Sequence, residues 1–270
     1  MATLNHELHI FLGCQHVPYE DPWATALVQG FLRAYHPGTV HLLGDLIDAY
    51  QISKHSRDPS RRIHLQEEFD RAYEYTEGIR TILGPEAVIH LSEGNHEWRL
   101  PALIWSQAPA LECLRSVRAG VPGQLRLSEL DVKWHPITTP YRQGHLWIKH
   151  GTRISPHSAY TARMEMERAG GCIIHSHTHR LGAHYKTQYD GIIGGFENGC
   201  LCLIDPRIHQ WTKGLPNWQN GFSVAQFFGK KFQLEQVLLL GSGASMGYIF
   251  HGRWHGIPQQ TAARIKRERR

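Results

Sequence analysis

Short apolar runs alternate with amphipathic segments along the first hundred residues. The apolar runs span 8–12, 39–43 and 87–91, and the first two end at Gly13 and Gly44. Runs of this length that stop at a glycine are typical of buried strands. Residues 22–35 and 60–83 have apolar positions at helical spacing, and each stops at a Pro-Gly or Gly-Pro pair. Alternation of strand and helix predicts an α/β domain.

The second half of the chain contains more predicted strands than predicted helices. Residues 222–228 and 232–240 are two apolar stretches that flank Gly229-Lys230, which predicts a hairpin. The remaining predicted strands span 132–137, 146–149, 172–175 and 199–204, and the predicted helices span 103–117 and 158–168.

Composition excludes several classes of protein. The 270 residues are 41% hydrophobic and 20% charged, which suits a globular chain rather than a disordered or fibrous one. Residues 237–250, the longest uncharged apolar stretch, are interrupted by glycines and serines and are too short to cross a membrane. The N-terminus does not have the pattern of a signal peptide. Five widely spread cysteines argue against a disulfide framework, so we expect a reducing, cytoplasmic location without membrane association.

The net charge of +5 is concentrated at one end of the chain. Residues 264–270 contain five basic side chains and one acidic side chain, so the rest of the chain is nearly neutral. We therefore predict a domain over residues 1–256 and a basic C-terminal tail over residues 257–270. Such a tail can bind nucleic acid by neutralising phosphates. The alternative is a solvated end without a ligand.

Five short segments rich in metal-ligating side chains each follow a predicted strand. They are Gly13-Cys14-Gln15-His16, Gly44-Asp45-Leu46-Ile47-Asp48, Gly94-Asn95-His96-Glu97, Lys149-His150-Gly151 and His175-Ser176-His177-Thr178-His179-Arg180. Ligands in open α/β sheets bind at the carboxyl ends of the strands. One such histidine alone is more often structural, so the hypothesis of a shared metal site depends on the whole set.

The order and residue types of these segments resemble the calcineurin-like metallophosphoesterase superfamily. Its segments read Asp-x-His, Gly-Asp-x-x-Asp, Gly-Asn-His-Asp/Glu, His and Gly-His-x-His, and the match runs from residue 13 to residue 180. The resemblance implies a four-layer α/β/β/α sandwich with two mixed sheets between helices. It also implies a phosphoesterase that uses two divalent ions, in which a metal-bound hydroxide attacks the phosphate.

The resemblance assigns seven metal ligands. Asp45 would bridge the two ions, because two cations so close together need an anion between them. Cys14, His16 and His179 would complete the first site. Asn95, His150 and His177 would complete the second.

The resemblance also assigns two residues to catalysis. His96 would assist the leaving oxygen as a general acid or stabilise the phosphate, and Asp48 would orient His96. The alternative for Asp48 is a helix N-cap.

Cys14 departs from the superfamily, which usually has aspartate there. RNA lariat debranching enzymes, a branch of the same superfamily, share the Gly-Cys-x-His motif. A thiolate ligand favours zinc or iron, whereas a carboxylate favours manganese or magnesium. Cys14 is therefore either a ligand that tunes the site toward zinc or iron, or a non-ligand beside a first ion that is loosely bound or absent. Segments such as 17–22 and 217–222 resemble phage and prophage members of the superfamily.

The expected substrate is a phosphodiester, with nucleic acid as the candidate polymer. Arg180, Lys54 and Arg57 are the candidate substrate-binding residues, although the basic loop that holds the latter two also fits a solvated surface. One alternative is a phosphomonoesterase that acts on a small molecule or a phosphoprotein. Another is a metal-binding interaction module without hydrolytic activity. Cys200 and Cys202 share a face of the predicted strand and are interpreted as core residues rather than ligands.

Overall fold

The structure, a computed structural model, describes residues 7–54, 58, 61–205 and 214–268. The strands of the described residues are β1 (Glu7–Leu12), β2 (Thr39–Leu42), β3 (Val88–Ser92), β4 (Val132–His135), β5 (Tyr141–Gln143), β6 (Leu146–Ile148), β7 (Ile173–His175), β8 (Gly182–Gln188), β9 (Gly191–Glu197), β10 (Gly221–Phe228), β11 (Lys231–Leu238), β12 (Gly247–Phe250) and β13 (Arg253–Gly256). The helices are α1 (Pro22–Tyr35), α2 (Leu65–Leu83), α3 (Arg99–Gln107), α4 (Arg115–Arg118), α5 (Gly120–Gln124), α6 (Tyr160–Ala169) and α7 (Gln259–Glu268).

Two mixed sheets organise these elements. The first has the strand order β11-β10-β1-β2-β3-β4, in which β1 to β4 are parallel and β10 and β11 are antiparallel to their neighbours. The second has the order β5-β6-β7-β9-β8, with β6, β7 and β9 parallel and β5 and β8 antiparallel at the edges. Strands β12 and β13 form a separate hairpin.

Helices cover the outer faces of both sheets. Alternate residues of β1 face two different hydrophobic cores. Ile10 belongs to the core that contains Phe31 of α1 and Phe69 of α2. Phe11 belongs to the core between the two sheets, together with Ile148. Helix α6 lies against the second sheet so closely that a Cβ on Gly195 would meet the carbonyl oxygen of Ala162 at 2.3 Å. The predicted four-layer α/β/β/α sandwich is therefore confirmed.

Helix α1 forms where its end signals predict. The side chain of Asp21 accepts hydrogen bonds from the backbone N–H groups of Trp23 and Ala24, and Pro22 opens the helix. The helix ends at His36, which has a left-handed backbone conformation with φ of 42°. Both predicted bounds match the structure.

Three other predictions differ from the structure. The helix predicted at 60–83 begins at Leu65. The helix predicted at 103–117 is divided into α3, a 3-10 turn at Pro109–Cys113 and α4, because Pro109 lacks the N–H group that a continuing helix requires. The strand predicted at 199–204 is wrong, since these residues form only isolated bridges. The hairpin of β8 and β9 was not predicted, because its many exposed residues lack an apolar alternation.

Residues 259–268 of the predicted tail form a helix that packs on the domain. Ala262 and Ile265 of α7 are buried in the core beneath α1, while Arg264, Lys266 and Arg267 are exposed. The packed body of the protein thus continues past residue 256. Among the helices of the described residues, none combines the length and apolar character needed to cross a bilayer.

A row of four histidines crosses the first sheet. His9, His41, His90 and His135 come from four neighbouring strands, and successive ring centroids are 5.2, 5.1 and 5.0 Å apart. Tyr141 of the second sheet stacks on His135 at 3.7 Å, and its hydroxyl lies 2.8 Å from His41 Nδ1. Burial lowers the pKa of all four imidazoles, that of His90 to about 4. The folded protein therefore holds the row neutral.

The histidine row predicts a loss of stability in mild acid. The unfolded chain binds protons below a pKa of about 6.5, whereas folded His90 resists protonation down to about 4, so the free energy of unfolding falls as the pH decreases through this window. We expect the fall between pH 7 and pH 5, measured by urea denaturation, to be roughly 1–2 kcal/mol smaller in His90→Gln than in wild type. Equal pH dependence in the two proteins would contradict this assignment.

Candidate metal centre

The five ligand-bearing segments meet where parallel strands of the two sheets end. The loops after β1, β2 and β3 come from the first sheet, and the loops after β6 and β7 come from the second. Because the carboxyl ends of parallel strands share an edge, side chains distant in sequence converge there.

The first ligand group consists of Cys14, His16, Asp45 and His179. One ligand atom from each lies within 4.8 Å of every other, and all four residues are buried. His16 Nε2 is 3.0 Å from His179 Nε2 and 3.8 Å from Asp45 Oδ2. The structure thus brings together the four residues predicted for the first ion.

The second ligand group shares Asp45 with the first. Asp45, His150 and His177 offer ligand atoms within 4.8 Å of one another. His150 Nε2 lies 3.2 Å from Asp45 Oδ2 and 3.0 Å from Asn95 Oδ1. Burial, with the neighbouring His150, lowers the pKa of His177 to about 3, so its imidazole is neutral and able to ligate.

His16 and His150 each have an imidazole held in place by a hydrogen bond at Nδ1. His16 Nδ1–H donates to Asp48 Oδ1 at 3.1 Å, and His150 Nδ1–H donates to the Leu43 carbonyl at 2.8 Å. Each Nε2 atom is therefore directed at the ligand groups, an arrangement common to metal-binding histidines. Burial opposes the charged form of His150, but the Asp45 carboxylate outweighs it and raises the pKa of His150. The Asp45 carboxylate thus favours positive charge beside it.

Five of the seven predicted ligands have a left-handed backbone. The φ angles are 52° at Cys14, 51° at His16, 52° at Asp45, 73° at His177 and 59° at His179. Residues with a Cβ rarely adopt this conformation, and such strain gathers at functional sites. The left-handed backbone lets Cys14 and His16 direct their side chains into the same site, and it does the same for His177 and His179.

Glu97 holds the loop that presents Asp45. Its fully buried carboxylate accepts backbone N–H groups from Asp45, Leu46, Ile47 and Gly94 at 2.7–3.2 Å. A Cβ on Gly94 would meet Asp45 Oδ1 at 2.2 Å, so a glycine is needed there. The Gly-Asn-His-Glu motif contained Glu97, but sequence reasoning assigned it no role.

His96 lies at the rim of the site and contacts Asp48. Its backbone N–H donates to Asp45 Oδ1 at 3.0 Å, and its Nδ1 lies 2.7 Å from the Asp48 carbonyl and 3.2 Å from Asp48 Oδ1. Burial lowers the pKa of His96, but the carboxylates of Asp45 and Asp48 outweigh burial and raise it.

Arg99 is a site residue that sequence reasoning missed. Its Nη1 donates to the carbonyl of Asp48 at 2.7 Å, and its Nη2 lies 3.0 Å from His96 Nε2. It follows the Gly-Asn-His-Glu motif by two residues, and this one-turn spacing from His96 was the signal that could have identified it.

Cys14 is fully buried beside the last ligand loop. Its Sγ accepts the His177 N–H at 3.3 Å and lies 2.9 Å from Ser176 Oγ. Burial, assisted by the nearby Asp45 carboxylate, raises the pKa of the thiol well above its ordinary value. A bound cation reverses that preference, because coordination deprotonates a thiol.

The predicted substrate-binding residues are placed differently from the ligands. Arg180 is buried, and its guanidinium donates to the carbonyls of Ser155 and Pro156 at 2.7 and 3.1 Å. It therefore braces the loop before α6. Lys54 is exposed, and Arg57 lies outside the described residues.

Comparison with known proteins gives one sequence relative and several structural ones. No family model matches the chain. The Gene 54 protein of Mycobacterium phage D29 is 27% identical over 252 residues, which cover 87% of this chain and 94% of that protein. The chain is thus similar to a phage protein.

Similar solved structures include two proteins named Vps29 and a phosphatase. Vacuolar Protein Sorting 29 from Cryptosporidium parvum has a TM-score of 0.45 and 13% identity, and the match covers 93% of this chain and 95% of that chain. Vps29 complexed with zinc from Entamoeba histolytica has a TM-score of 0.45 and 13% identity, with 90% and 98% covered. A dimetal phosphatase from Danio rerio has a TM-score of 0.45 and 11% identity, with 85% and 95% covered. Similarity this low does not transfer an activity.

The geometry predicts that Cys14→Ala weakens metal binding at the first group and spares the second. The substitution removes a ligand that the second group does not contain. In crystals soaked with manganese or zinc, we expect two anomalous peaks beside Asp45 in wild type and a diminished first peak in the variant. Cys113→Ala, at an exposed cysteine, is the matched control. Two undiminished peaks in Cys14→Ala would show Cys14 to be a bystander.

Proposed function

We propose that this chain is a calcineurin-like metallophosphoesterase that hydrolyses phosphodiester bonds with two divalent ions. The observation that carries the proposal is the sharing of one buried carboxylate, Asp45, by two groups of imidazole, thiol and amide ligands. Manganese, zinc and iron all suit ligands of this kind, and the thiol of Cys14 favours the latter two.

The donor set divides between the two ions. Cys14, His16 and His179 would hold one ion, and Asn95, His150 and His177 would hold the other, with Asp45 between them. When bound, such a pair of ions supplies Lewis acidity to a phosphoryl oxygen and activates water. Five of these seven ligands are neutral imidazole or amide groups, and only Asp45 and the Cys14 thiolate would be anionic, so the ions would stay electrophilic.

His96 and Arg99 would act at the leaving oxygen. The Nε2 atom of His96 lies 3.9 Å from Asp45 Oδ2, and Asp48 fixes the ring from the other side. A protonated His96 whose Nε2–H turned from Arg99 toward the departing alkoxide would assist a poor leaving group, which is what a diester of an ordinary alcohol has. Arg99 adds a permanent positive charge next to the His96 ring. Hydrogen bonds from Arg99 to the carbonyls of Asp48 and Ala49 hold its guanidinium in position.

A substrate panel with His96→Ala tests this proposal. Manganese-loaded wild type should hydrolyse bis-nitrophenyl phosphate and an alkyl diester faster than the matching monoesters. His96→Ala should retain its metal but lose roughly 10²–10⁴-fold in the rate of alkyl diester cleavage. The nitrophenyl ester should lose less, because its leaving group needs little assistance.

Three results would contradict the proposal. Loss of bound metal in His96→Ala would make His96 a structural or ligand residue instead. Preference for monoesters would favour the phosphomonoesterase. Absence of hydrolysis by protein with both ions bound would favour an interaction module.

Nucleic acid is the proposed polymer because basic side chains gather on α7. Arg264, Lys266 and Arg267 are exposed there, next to the exposed Arg33 at the end of α1. Residues Arg33 and Arg264 line a common groove of about 620 Å³ between these helices. A phosphate backbone complements such a surface.

We expect the removal of two basic side chains from α7 to weaken oligonucleotide binding and to make it less dependent on salt. In Lys266→Gln/Arg267→Gln, affinity for an oligonucleotide should fall, and each lost phosphate contact should reduce the slope of log affinity against log salt by about 0.7–0.9. Arg163→Gln/Arg168→Gln on exposed positions of α6 removes the same charge elsewhere and is the matched control. Cleavage of a small diester should not change. Equal effects of the two double variants on binding would exclude α7 as a specific contact.

A further inference from the structure

Three buried thiols lie together beside the first ligand group. Cys14, Cys200 and Cys202 form a cluster of their own, against which Ile204 and Trp218 pack, and none of the three thiols is exposed. The sequence favoured a purely structural role for Cys200 and Cys202. Their surroundings in the fold indicate a further role.

The chain brings the two cysteines to the metal centre by backbone pairing. The N–H of Leu201 donates to the Cys14 carbonyl at 3.2 Å, which places the 200–202 segment alongside the first motif. The side-chain amide of Asn220 donates to the carbonyls of Cys200 and Cys202 at 3.2 and 2.8 Å. One side chain thus fixes both ends of the Cys-Leu-Cys segment.

The two cysteines also converge on an imidazole. Ligand atoms of Cys200, Cys202 and His179 lie within 4.8 Å of one another, and all three residues are buried. Zinc ligands at about 2.0–2.3 Å from a tetrahedral ion lie roughly 3.3–3.8 Å apart, so small side-chain rotations would close this set around an ion.

We propose that Cys200, Cys202 and His179 form a further site, overlapping the first ligand group at His179, for a thiophilic ion such as zinc, cadmium or copper(I). Two sulfurs and one imidazole nitrogen are the donors that soft cations prefer over manganese or magnesium. Cys14 lies in the same buried cluster, but its sulfur is not among the three ligand atoms that lie within 4.8 Å of one another. We name this set the thiol site.

The thiol site shares His179 with the first ligand group. His179 would turn toward an ion held at the thiol site, which would weaken its part in the first ligand group. A thiophilic ion would therefore inhibit the manganese-loaded enzyme without touching His150 or His177. This consequence rests on the proposed function, whereas ion binding by the thiol site does not.

A cadmium titration of the metal-free, reduced protein tests the inference. Thiolate-to-cadmium charge transfer absorbs in the ultraviolet, and X-ray absorption counts the sulfurs bound to the metal. We expect at least two sulfurs per cadmium in wild type. In Cys200→Ser/Cys202→Ser we expect at most one sulfur, from Cys14, and cadmium affinity weaker by at least about 10–100-fold, which is the loss typical when only a group that orients a ligand is removed.

Two controls keep the outcome decisive. Cys113→Ser removes an exposed thiol and should leave the band and the affinity unchanged. Circular dichroism checks that the double variant folds. If the double variant does not fold, the cadmium affinity of Cys202→Ser and the number of sulfurs bound per cadmium in wild type test the thiol site instead.

The readouts also separate this inference from the proposed function. A wild-type sulfur count of one or fewer, or a band unchanged in Cys200→Ser/Cys202→Ser, would overturn the thiol site even if manganese-dependent hydrolysis is found. A sulfur-rich cadmium site in a protein without phosphoesterase activity would support the thiol site and refute the proposed function.

Discussion

Burying the Asp45 carboxylate at the meeting edge of two sheets requires compensating charge, and the surrounding residues supply it. Desolvation alone would favour the protonated acid, yet His150 and His96 outweigh burial and hold the pKa of Asp45 well below its ordinary range. The carboxylate also accepts the backbone N–H of His96. Divalent ions would neutralise the same charge more fully than protonated imidazoles, so the electrostatic demand of Asp45 and the proposed metal chemistry coincide.

Histidine serves two opposite purposes in this fold. In the row of His9, His41, His90 and His135, the first two imidazoles are buried and the last two are half-buried, and burial together with mutual repulsion keeps them neutral. At the metal centre, the carboxylates of Asp45 and Asp48 reverse the balance and raise the pKa of His96. The same side chain is therefore a packing group at one face of the first sheet and a charged or ligating group at its edge.

Two supports make the site rigid without contributing ligands. Glu97 gathers the N–H groups of the 45–47 loop, and Asn220 gathers the carbonyls of the 200–202 segment. Both side chains bind backbone groups, so they fix the backbone position of the nearby residues rather than the conformation of the side chains. Strained φ angles at Cys14, Asp45 and His179 persist because such contacts hold them in place.

The sequence by itself determined the strand-loop pattern and the residue types of the ligand set. Apolar runs ending at glycines predicted β1 and β2, and helical spacing that starts at Pro22 predicted α1, almost to the residue, because local periodicity and end signals act over a few neighbours. The candidate ligands Asp45 and His150 could be named from their motifs, since each motif is local. What only the tertiary structure decided is which groups meet: Arg99 against the Asp48 carbonyl, Arg180 against the carbonyls of Ser155 and Pro156, and Cys200 and Cys202 beside His179. Those contacts join residues from different strands and sheets, and their distances depend on packing and backbone pairing that no short stretch of sequence encodes.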